Sequence, residues 1–164
     1  MIKMILLDVD GCLTDGKIVY SENGDEIKAF NVKDGLAIKA WINLGFEVAI
    51  ITGRQSKIVR RRADELGITH LYQGVKDKAT LVSKLCNELG ITLEEMAAIG
   101  DDLNDYRMLQ NVGIAFVPHN ASRHVKEIAN VILEERGGEG AVREMIEMMI
   151  RHNGKESDFL ASWT

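Results

Sequence analysis

Residues 2–14 read IKMILLDVDGCLT, an apolar run that ends in two aspartates and a glycine. A nearly continuous apolar run is typical of a strand buried on both faces of a parallel sheet. Because strand side chains alternate with a period of two, Asp8 and Asp10 should lie on the same side where the run ends. Neighbouring carboxylates repel each other unless a cation or a shared proton compensates them. The stretch therefore predicts a metal site, proton chemistry or both, although Asp-x-Asp-Gly also occurs in ordinary turns and calcium loops.

The length and charge of the chain narrow the class of protein. A chain of 164 residues fits a single domain, 1–164, with a sizeable core. The net charge of -5 disfavours nucleic acid or an anionic membrane as the main partner. We find no signal peptide and no apolar segment long enough to span a bilayer, so we expect a cytoplasmic protein without nucleic-acid or membrane partners.

Cysteine and histidine are too scattered to suggest a zinc site. Cys12 and Cys86 have no paired metal-binding spacing, and the four histidines show no H-x-x-x-H pattern. We expect free thiols, with Cys12 as a buried small residue rather than a nucleophile.

Helix and strand patterns alternate from Asp34 onward, which is typical of right-handed βαβ units. The sequence therefore predicts the α/β class, with a single doubly wound parallel sheet. The predicted strands after the first cover 46–51, 70–72, 96–99, 113–117 and 131–133. The predicted helices cover 35–44, 56–66, 77–89, 105–110, 121–129 and 141–151.

Two segments fall outside this alternation. Residues 17–30 carry Asn23-Gly24 between two β-prone runs, a strong hairpin signal because both residue types tolerate the positive φ of tight turns. This hairpin insertion after the first strand could cover the site or pair with another subunit. Residues 152–164 form a polar tail, whose large apolar members are Phe159, Leu160 and Trp163.

Three of the predicted strands end in polar clusters, at 8–10, 52–54 and 100–105. Ligands of open parallel sheets bind at the carboxyl ends of the strands, so these clusters should meet in one crevice. Lys78, near the start of its helix, can join them. The expected site then holds three or four carboxylates, one hydroxyl and one amine.

This set of groups suits phosphoryl transfer. Oxygen ligands favour magnesium over zinc. A metal held by Asp8 and Asp101 would neutralise phosphate oxygens, while Thr52 and Lys78 would supply a hydrogen bond and a positive charge. Asp8 could then attack phosphorus, and Asp10 could protonate the leaving oxygen and later take a proton from water.

Each of these residues also has a purely structural interpretation. Thr52 could cap the turn after its strand, and Lys78 could be a solvated helix residue. Asp102 and Asp105 could be an N-cap and a dipole partner of the next helix. The occurrence of all of them in this order favours the chemical interpretation.

With these motifs the chain resembles the haloacid dehalogenase (HAD) superfamily of phosphotransferases over nearly its whole length. The matching motifs are Asp8-Val-Asp10-Gly, Thr52, Lys78 and Gly100-Asp101-Asp102-x-x-Asp105. The resemblance implies Asp8 as nucleophile and Asp10 as acid/base. It also implies Mg²⁺ bound by Asp8, the Asp10 carbonyl and Asp101, with Asp102 or Asp105 nearby. The second aspartate of the first motif argues against the dehalogenase branch, and the chain is too short to carry the cap domain of many relatives.

Within the superfamily the chain resembles the small, capless, tetrameric sugar-acid phosphatases. The supporting stretches are 30–35, 51–54, 67–74 and 137–144. This resemblance implies a sugar-acid phosphate as substrate, with 3-deoxy-D-manno-octulosonate 8-phosphate as the first choice. The residues that it implies for substrate binding are Asn31, Val32, Lys33, Asp34, Gly35, Lys39, Arg54, Arg62 and Lys78. Positions 33 and 39 are often Arg in that family, and Lys keeps the charge but loses the bidentate fork.

A sister activity on nonulosonate 9-phosphates of the sialic acid type is the alternative. Stretches 60–63 and 86–90 resemble that branch as well. The branch carries Glu and Lys where this chain has Arg54 and Glu65, and both differences favour the octulosonate substrate. Only one face of the helix that contains residues 60–62 can meet the site, so at least one of these three arginines should be solvated.

The resemblance also implies a homotetramer joined through the hairpins, in which a neighbour's C-terminal tail closes each crevice. Alternatively, the apolar residues of the tail pack on their own subunit or stay disordered. Two other classes remain open. A signalling receiver domain uses similar Asp, Thr and Lys residues, but in a different order and without the acid/base. A non-catalytic oligomerising module would not need complete active-site motifs.

Overall fold

A six-stranded parallel sheet lies at the centre of the protein, for which a computed structural model describes residues 1–164. The strands are β1 (Met4–Leu7), β2 (Val19–Tyr20), β3 (Glu26–Ile27), β4 (Glu47–Ile51), β5 (His70–Tyr72), β6 (Met96–Ile99), β7 (Ile114–Val117) and β8 (Val131–Ile132). The helices are α1 (Val32–Asn43), α2 (Lys57–Leu66), α3 (Lys78–Leu89), α4 (Tyr106–Asn111), α5 (Arg123–Ile128), α6 (Ala141–His152) and α7 (Glu156–Ala161). The order across the sheet is β5-β4-β1-β6-β7-β8, so β1 is central and pairs in parallel with both neighbours.

Helices cover both faces of the sheet. Ile5 and Leu7 of β1 join one core cluster with residues of α1, α2 and α6. Met4 and Leu6 point the other way and join a second cluster with residues of α3, α4 and α5. Burial on both faces explains why this strand is a continuous apolar run. The predicted α/β class and doubly wound parallel sheet are confirmed.

The predicted hairpin insertion is confirmed, and only one of its two turn residues has a positive φ. β2 and β3 pair antiparallel as a separate two-stranded sheet. Gly24 has a φ of 86°, whereas no non-glycine residue, Asn23 included, has a positive φ. Two backbone hydrogen bonds close a wider loop, from Ser21 N–H to Asp25 O at 2.8 Å and from Gly24 N–H to Ser21 O at 3.0 Å. This loop needs only one residue with positive φ.

The first helix begins three residues earlier than predicted. The Asn31 side chain accepts a hydrogen bond from Lys33 N–H at 2.8 Å, and this N-cap starts α1 at Val32 instead of Gly35. The cap therefore outweighs the weak helix propensity of Asp34 and Gly35. The ends of the other predicted helices and strands lie within two residues of the observed ones.

The C-terminal tail contains a short helix, α7. Phe159 is buried against the core of its own chain, whereas Leu160 and Trp163 are exposed. Packing on the same subunit therefore holds for one of the three apolar tail residues. No separate cap domain is present, as expected. No helix is both long enough and apolar enough to cross a membrane.

Candidate active site

The carboxyl ends of the three central strands meet at one cavity of about 270 Å³. Asp8 directly follows β1, Thr52 directly follows β4, and Asp101 follows β6 after one glycine. The residues that line this cavity are Asp8, Asp10, Gly16, Thr52, Gly53, Arg54, Asp101, Asp102 and Asn104. The predicted convergence of the polar clusters at this edge of the sheet is therefore confirmed.

The glycine of the first motif allows two strand ends to approach each other closely. After Asp8 the backbone forms an irregular turn over Val9–Leu13, in which Gly11 has a φ of 96°. A Cβ on Gly11 would overlap the carboxylate of Asp101. Thr14 closes the turn, since its hydroxyl accepts from Gly11 N–H at 3.3 Å. The turn therefore brings the first and fourth motifs into contact.

Lys78 lies at the centre of the buried part of the site. Its Nζ donates to Asp8 Oδ1 at 2.6 Å and to Asp105 Oδ1 at 2.5 Å. The side chains of the three residues are between 0% and 4% exposed. Lys78 is the first residue of α3, whose N-cap is Asp77. The alternative of a solvated helix lysine is wrong.

Asp102 and Asp105, whose roles were ambiguous in the sequence, have distinct positions. Asp102 is exposed and caps the next turn, accepting from Leu103 N–H at 2.8 Å. Asp105 is fully buried; it accepts from Asp101 N–H at 3.0 Å and binds Lys78. Asp105 therefore orients both the buried lysine and the backbone of Asp101. The spacing of a capping box between positions 102 and 105 was the available sequence signal.

Two carboxylates of the site, Asp8 and Asp101, have raised pKa values. Burial, together with repulsion by Asp105, raises the pKa of Asp8 to about 7 although Lys78 acts in the opposite direction. Burial and repulsion by Asp105 and Asp102 raise the pKa of Asp101 to about 7. The attraction of the two carboxylates outweighs burial for Lys78, whose pKa is raised. A further cation at this site would favour the ionised form of both Asp8 and Asp101.

The donor atoms at this point fit magnesium. One ligand atom from each of Asp8, Asp101 and Cys12 lies within 4.8 Å of the others. Burial and the nearby carboxylates raise the pKa of Cys12 well above its ordinary value, so its thiol stays protonated and is a poor ligand. The remaining donors are carboxylate oxygens, which magnesium prefers. The Asp10 carbonyl as a further ligand stays a prediction.

Thr52 is buried, and its backbone forms hydrogen bonds with the end of β5 and with the loop that follows β5. Its N–H donates to Tyr72 O at 3.0 Å, and its carbonyl accepts from Val75 N–H at 3.1 Å. Its hydroxyl makes no hydrogen bond within the chain, and the residue lines the cavity. The side chain therefore makes no capping hydrogen bond, and its hydrogen bond to substrate stays a prediction.

A second lysine, Lys28, reaches the site from the hairpin and was not identified in the sequence. Its Nζ donates to Asp10 Oδ1 at 2.5 Å, and it lies 3.0 Å from Glu26 Oε1. The same oxygen of Glu26 lies 3.4 Å from an amino group of Arg54. The only sequence signal was the i, i+2 spacing of Glu26 and Lys28, which places both on one side of an extended chain.

The residues expected to bind substrate divide into three groups. Arg54 lines the cavity, and Lys78 contacts Asp8 directly. Val32, Lys33 and Lys39 are exposed and do not line the cavity. The structure therefore places only the first group at Asp8 and the cavity beside it.

The remaining members of the expected set form a cluster around the start of α1. Asn31 Nδ2 donates to Gly138 O at 3.3 Å, and Asp34 accepts from Arg143 N–H at 2.8 Å. The guanidinium of Arg62 lies 5.7 Å from the centre of the Phe30 ring. Gly35 packs so closely against Arg62 that a Cβ there would overlap it. Asn31, Asp34 and Gly35 thus have structural contacts within the chain.

Comparison with known proteins identifies relatives over almost the whole chain. Residues 70–146 match the model of a haloacid dehalogenase-like hydrolase family. The 3-deoxy-D-manno-octulosonate 8-phosphate phosphatase KdsC of Escherichia coli (strain K12) is 43% identical over 154 residues, which are 94% of this chain and 82% of that protein. The enzyme of the same name from Haemophilus influenzae is 41% identical over 158 residues, 96% of this chain and 88% of that protein.

A solved structure agrees with this relationship. The 3-deoxy-D-manno-octulosonate 8-phosphate phosphatase of Moraxella catarrhalis, in complex with a magnesium ion, a phosphate ion and a KDO molecule, superposes with a TM-score of 0.96. It is 42% identical, and the match covers 99% of this chain and 94% of that one. Fold, motifs and identity agree, and the chain belongs to the haloacid dehalogenase-like hydrolases and, within them, to the KdsC family.

Proposed function

We propose that this protein is a magnesium-dependent phosphatase that hydrolyses 3-deoxy-D-manno-octulosonate 8-phosphate to the free sugar acid and phosphate. The observation that carries the proposal is the convergence of Asp8, Asp10, Thr52 and Asp101 on one cavity, with Lys78 bound to Asp8. The Escherichia coli and Haemophilus influenzae relatives that bear this activity in their names share more than 40% identity over nearly the whole chain.

The reaction we propose has two steps. In the first, a carboxylate oxygen of Asp8 attacks phosphorus, the ester P–O bond breaks, and Asp10 gives its proton to the leaving sugar oxygen. In the second, Asp10 takes a proton from water, and the resulting hydroxide attacks phosphorus. Phosphate leaves, and the Asp8 carboxylate is restored. The protons gained and lost by Asp10 balance over the cycle.

The other groups stabilise charge around the transferred phosphoryl group. Lys78 holds Asp8 in place and keeps a positive charge beside it. Thr52 offers a hydroxyl to a phosphoryl oxygen. Magnesium held by Asp8, Asp101 and the Asp10 carbonyl would neutralise phosphate charge. Each group has a role that becomes stronger as negative charge develops on the phosphoryl oxygens.

Arg54 supports a sugar acid as the substrate. It is the one arginine that lines the cavity, and nearly half of its side chain is exposed, at 47%. A guanidinium there can bind the carboxylate of a sugar acid through two parallel hydrogen bonds. We propose that the other expected contacts, from Val32, Lys33, Lys39 and Arg62, act on the remainder of the sugar.

We further propose a homotetramer assembled through the hairpins, with the C-terminal tail at a neighbouring site. Four large apolar side chains of the hairpin region are at least 41% exposed, namely Ile18, Val19, Tyr20 and Ile27. Leu160 and Trp163 of the tail are exposed as well. Exposed apolar groups in such numbers favour association. A mass measurement in solution tests this proposal, and a monomer would contradict it. A location in the cytoplasm stays a prediction.

A turnover panel tests the substrate. Phosphate release from octulosonate 8-phosphate, nonulosonate 9-phosphates and generic sugar phosphates is measured with magnesium and with a chelator. We expect the highest kcat/KM for octulosonate 8-phosphate and loss of turnover with the chelator. A preference for a nonulosonate 9-phosphate would contradict the substrate assignment and leave the mechanism intact. A phosphorylated Asp8 that persisted for minutes would instead indicate a receiver domain, and no hydrolysis at all would indicate a non-catalytic module.

A further inference from the structure

The side chain of Lys28 is buried, although it comes from a hairpin outside the main sheet. It is 2% exposed, and its Nζ contacts one oxygen each of Asp10 and Glu26. Lysine is almost never so buried unless it is paired. Burial alone would lower the pKa of Lys28, but hydrogen bonds to Asp10 and Glu26 raise it. Lys28 is therefore a fixed positive charge beside Asp10.

The carboxylate of Asp10 depends on this single contact. Asp10 belongs to the irregular turn after β1, with φ of -75° and ψ of 109°, so no regular element fixes its side chain. The hydrogen bond from Lys28 to Oδ1 is the only one that its carboxylate receives within the chain. Its side chain is 21% exposed and lines the cavity, which leaves Oδ2 open to a ligand.

Glu26 connects this pair to Arg54. One oxygen of Glu26 lies 3.0 Å from Lys28 Nζ and 3.4 Å from the Arg54 guanidinium. The hairpin thus contributes two alternating side chains to a line of charges from Asp10 to the arginine at the cavity. A hairpin that served only for subunit contact would not require a buried lysine paired with Asp10.

We infer that Lys28 is a positioning residue for the acid/base step: it holds Oδ1 of Asp10 and leaves Oδ2 to carry the proton to and from the cavity. This inference rests on the proposed phosphatase function, since it concerns the proton transfer of that reaction. Without Lys28, the Asp10 side chain would adopt several rotamers, and fewer of them would place Oδ2 beside the leaving oxygen.

The test compares Lys28→Met with wild type on two esters in the presence of magnesium. The first is octulosonate 8-phosphate, whose alkoxide leaving group needs a proton. The second is p-nitrophenyl phosphate, whose phenolate leaves without one. We expect the first-turnover rate of ester cleavage, measured by rapid mixing, to fall about 100-fold for the sugar phosphate and much less for the aryl phosphate, because general acid catalysis of leaving-group departure contributes about 10² to 10⁴ in rate. Steady-state kcat should fall for both esters, since Asp10 is also the base for hydrolysis of phosphoryl-Asp8. Lys28→Arg, which keeps the charge, should recover part of the loss.

A matched control and a folding measurement separate the outcomes. Lys17→Met removes an exposed lysine that pairs with Asp15 next to the same hairpin, and it should behave as wild type. Thermal unfolding monitors the fold of each variant. Equal losses of the first-turnover rate on both esters, or an unchanged first-turnover rate on the sugar phosphate, would overturn the inference. If wild type itself fails on octulosonate 8-phosphate, the proposed substrate is wrong, and the comparison is made with the alkyl phosphate that wild type hydrolyses fastest.

Discussion

The two lysines of the active site differ in the elements that hold them. Lys78 opens α3, and its partners Asp8 and Asp105 follow the central strands β1 and β6. Lys28 comes from the hairpin, and both of its partners keep about a fifth of their side chains exposed, at 21% and 20%. The proposed nucleophile, Asp8, is thus held by the core of the sheet, and the proposed acid/base, Asp10, is held by an insertion.

Because of this difference, we expect substitution of Lys78 to affect folding stability and substitution of Lys28 to affect catalysis. Removing a charge from a fully buried cluster leaves unpaired carboxylates without water, so the fold should be affected. Removing a charge from the partly exposed cluster leaves carboxylates that water can still solvate, so the proton transfer should be affected more than the fold. We call Lys28, Asp10, Glu26 and Arg54 the hairpin cluster, and Lys78, Asp8 and Asp105 the sheet cluster. Substitutions in the hairpin cluster should therefore lower the free energy of unfolding less than substitutions in the sheet cluster.

The largest expected effect comes from exchanging the carboxylates themselves. Asp8→Asn should lower turnover by more than about 10³-fold for every ester, because it removes the nucleophile.

Asp10→Asn should behave differently with p-nitrophenyl phosphate. Nitrophenolate leaves without a proton, and the phosphoryl-Asp8 intermediate then waits for a base. Rapid-mixing measurements should show a burst of about one nitrophenolate per site, followed by slow turnover, for Asp10→Asn only. A burst with Asp8→Asn would contradict the assignment of the nucleophile.

Lys78→Met should be the most destabilising of the lysine substitutions. It leaves Asp8 and Asp105, which are 3% and 0% exposed, without their shared cation. We expect the free energy of unfolding in denaturant at pH 7 to fall by about 3–5 kcal/mol. Adding Asp105→Asn to Lys78→Met should recover part of this loss, because one buried charge is then removed. Lys28→Met should lower the free energy of unfolding by about 1 kcal/mol or less. Equal losses for the two lysine variants would contradict the contrast between the clusters.

The part of the site at the strand ends could be predicted from the sequence because its positions follow from regular structure. Asp8, Thr52 and Asp101 follow apolar strands, and the carboxyl ends of adjacent parallel strands must meet. Lys78 was predictable from its place at a helix start. The role of Asp105 was not, because a capping residue and a buried ion-pair partner have the same local pattern.

The hairpin cluster could not be predicted for a physical reason. The sequence indicates that a hairpin exists, but its orientation relative to the sheet depends on contacts that no periodicity encodes. Lys28 could equally have faced solvent, as Lys17 does with a side chain that is 77% exposed. The start of α1 was missed for a related reason, since a single side-chain cap at Asn31 decided it.

Asp34 is a buried carboxylate outside both clusters. It shows how burial shifts the pKa of a carboxylate that has no lysine partner. It is 1% exposed, its Oδ2 has no partner, and burial raises its pKa from 3.8 to about 6. The folded protein therefore holds this proton more tightly than the unfolded chain. The resulting contribution to stability is complete below about pH 4 and is lost as pH rises through about 6, which amounts to at most about 3 kcal/mol.

Asp34→Asn should remove this pH dependence. The stability of the variant minus that of wild type should increase between pH 4 and pH 7, because wild type alone loses the contribution of the protonated carboxyl. The measurement is denaturant unfolding at several pH values. Asp25→Asn on the exposed hairpin loop controls for the loss of one negative charge. A difference that stayed constant with pH would contradict the account of Asp34.

Arg54 is predicted to have the smallest effect, and it tests whether the hairpin cluster also selects the substrate. Its side chain is 47% exposed, so Arg54→Met should change stability little. Loss of a hydrogen-bonded charge pair with the sugar carboxylate should lower kcat/KM for octulosonate 8-phosphate by about tenfold to 100-fold. p-Nitrophenyl phosphate has no carboxylate, so its kcat/KM should change much less.

The control for Arg54 is Arg61→Met, which removes an arginine whose side chain is 82% exposed and pairs with Glu65. It should leave both esters unaffected. Arg54→Glu adds the residue that the nonulosonate branch carries, and it should lower the preference for octulosonate 8-phosphate over nonulosonate 9-phosphate. If Arg54→Met instead slows both esters equally, Arg54 acts through Glu26 and Lys28 on Asp10. The hairpin cluster would then serve proton transfer alone, and the sugar carboxylate would be bound elsewhere.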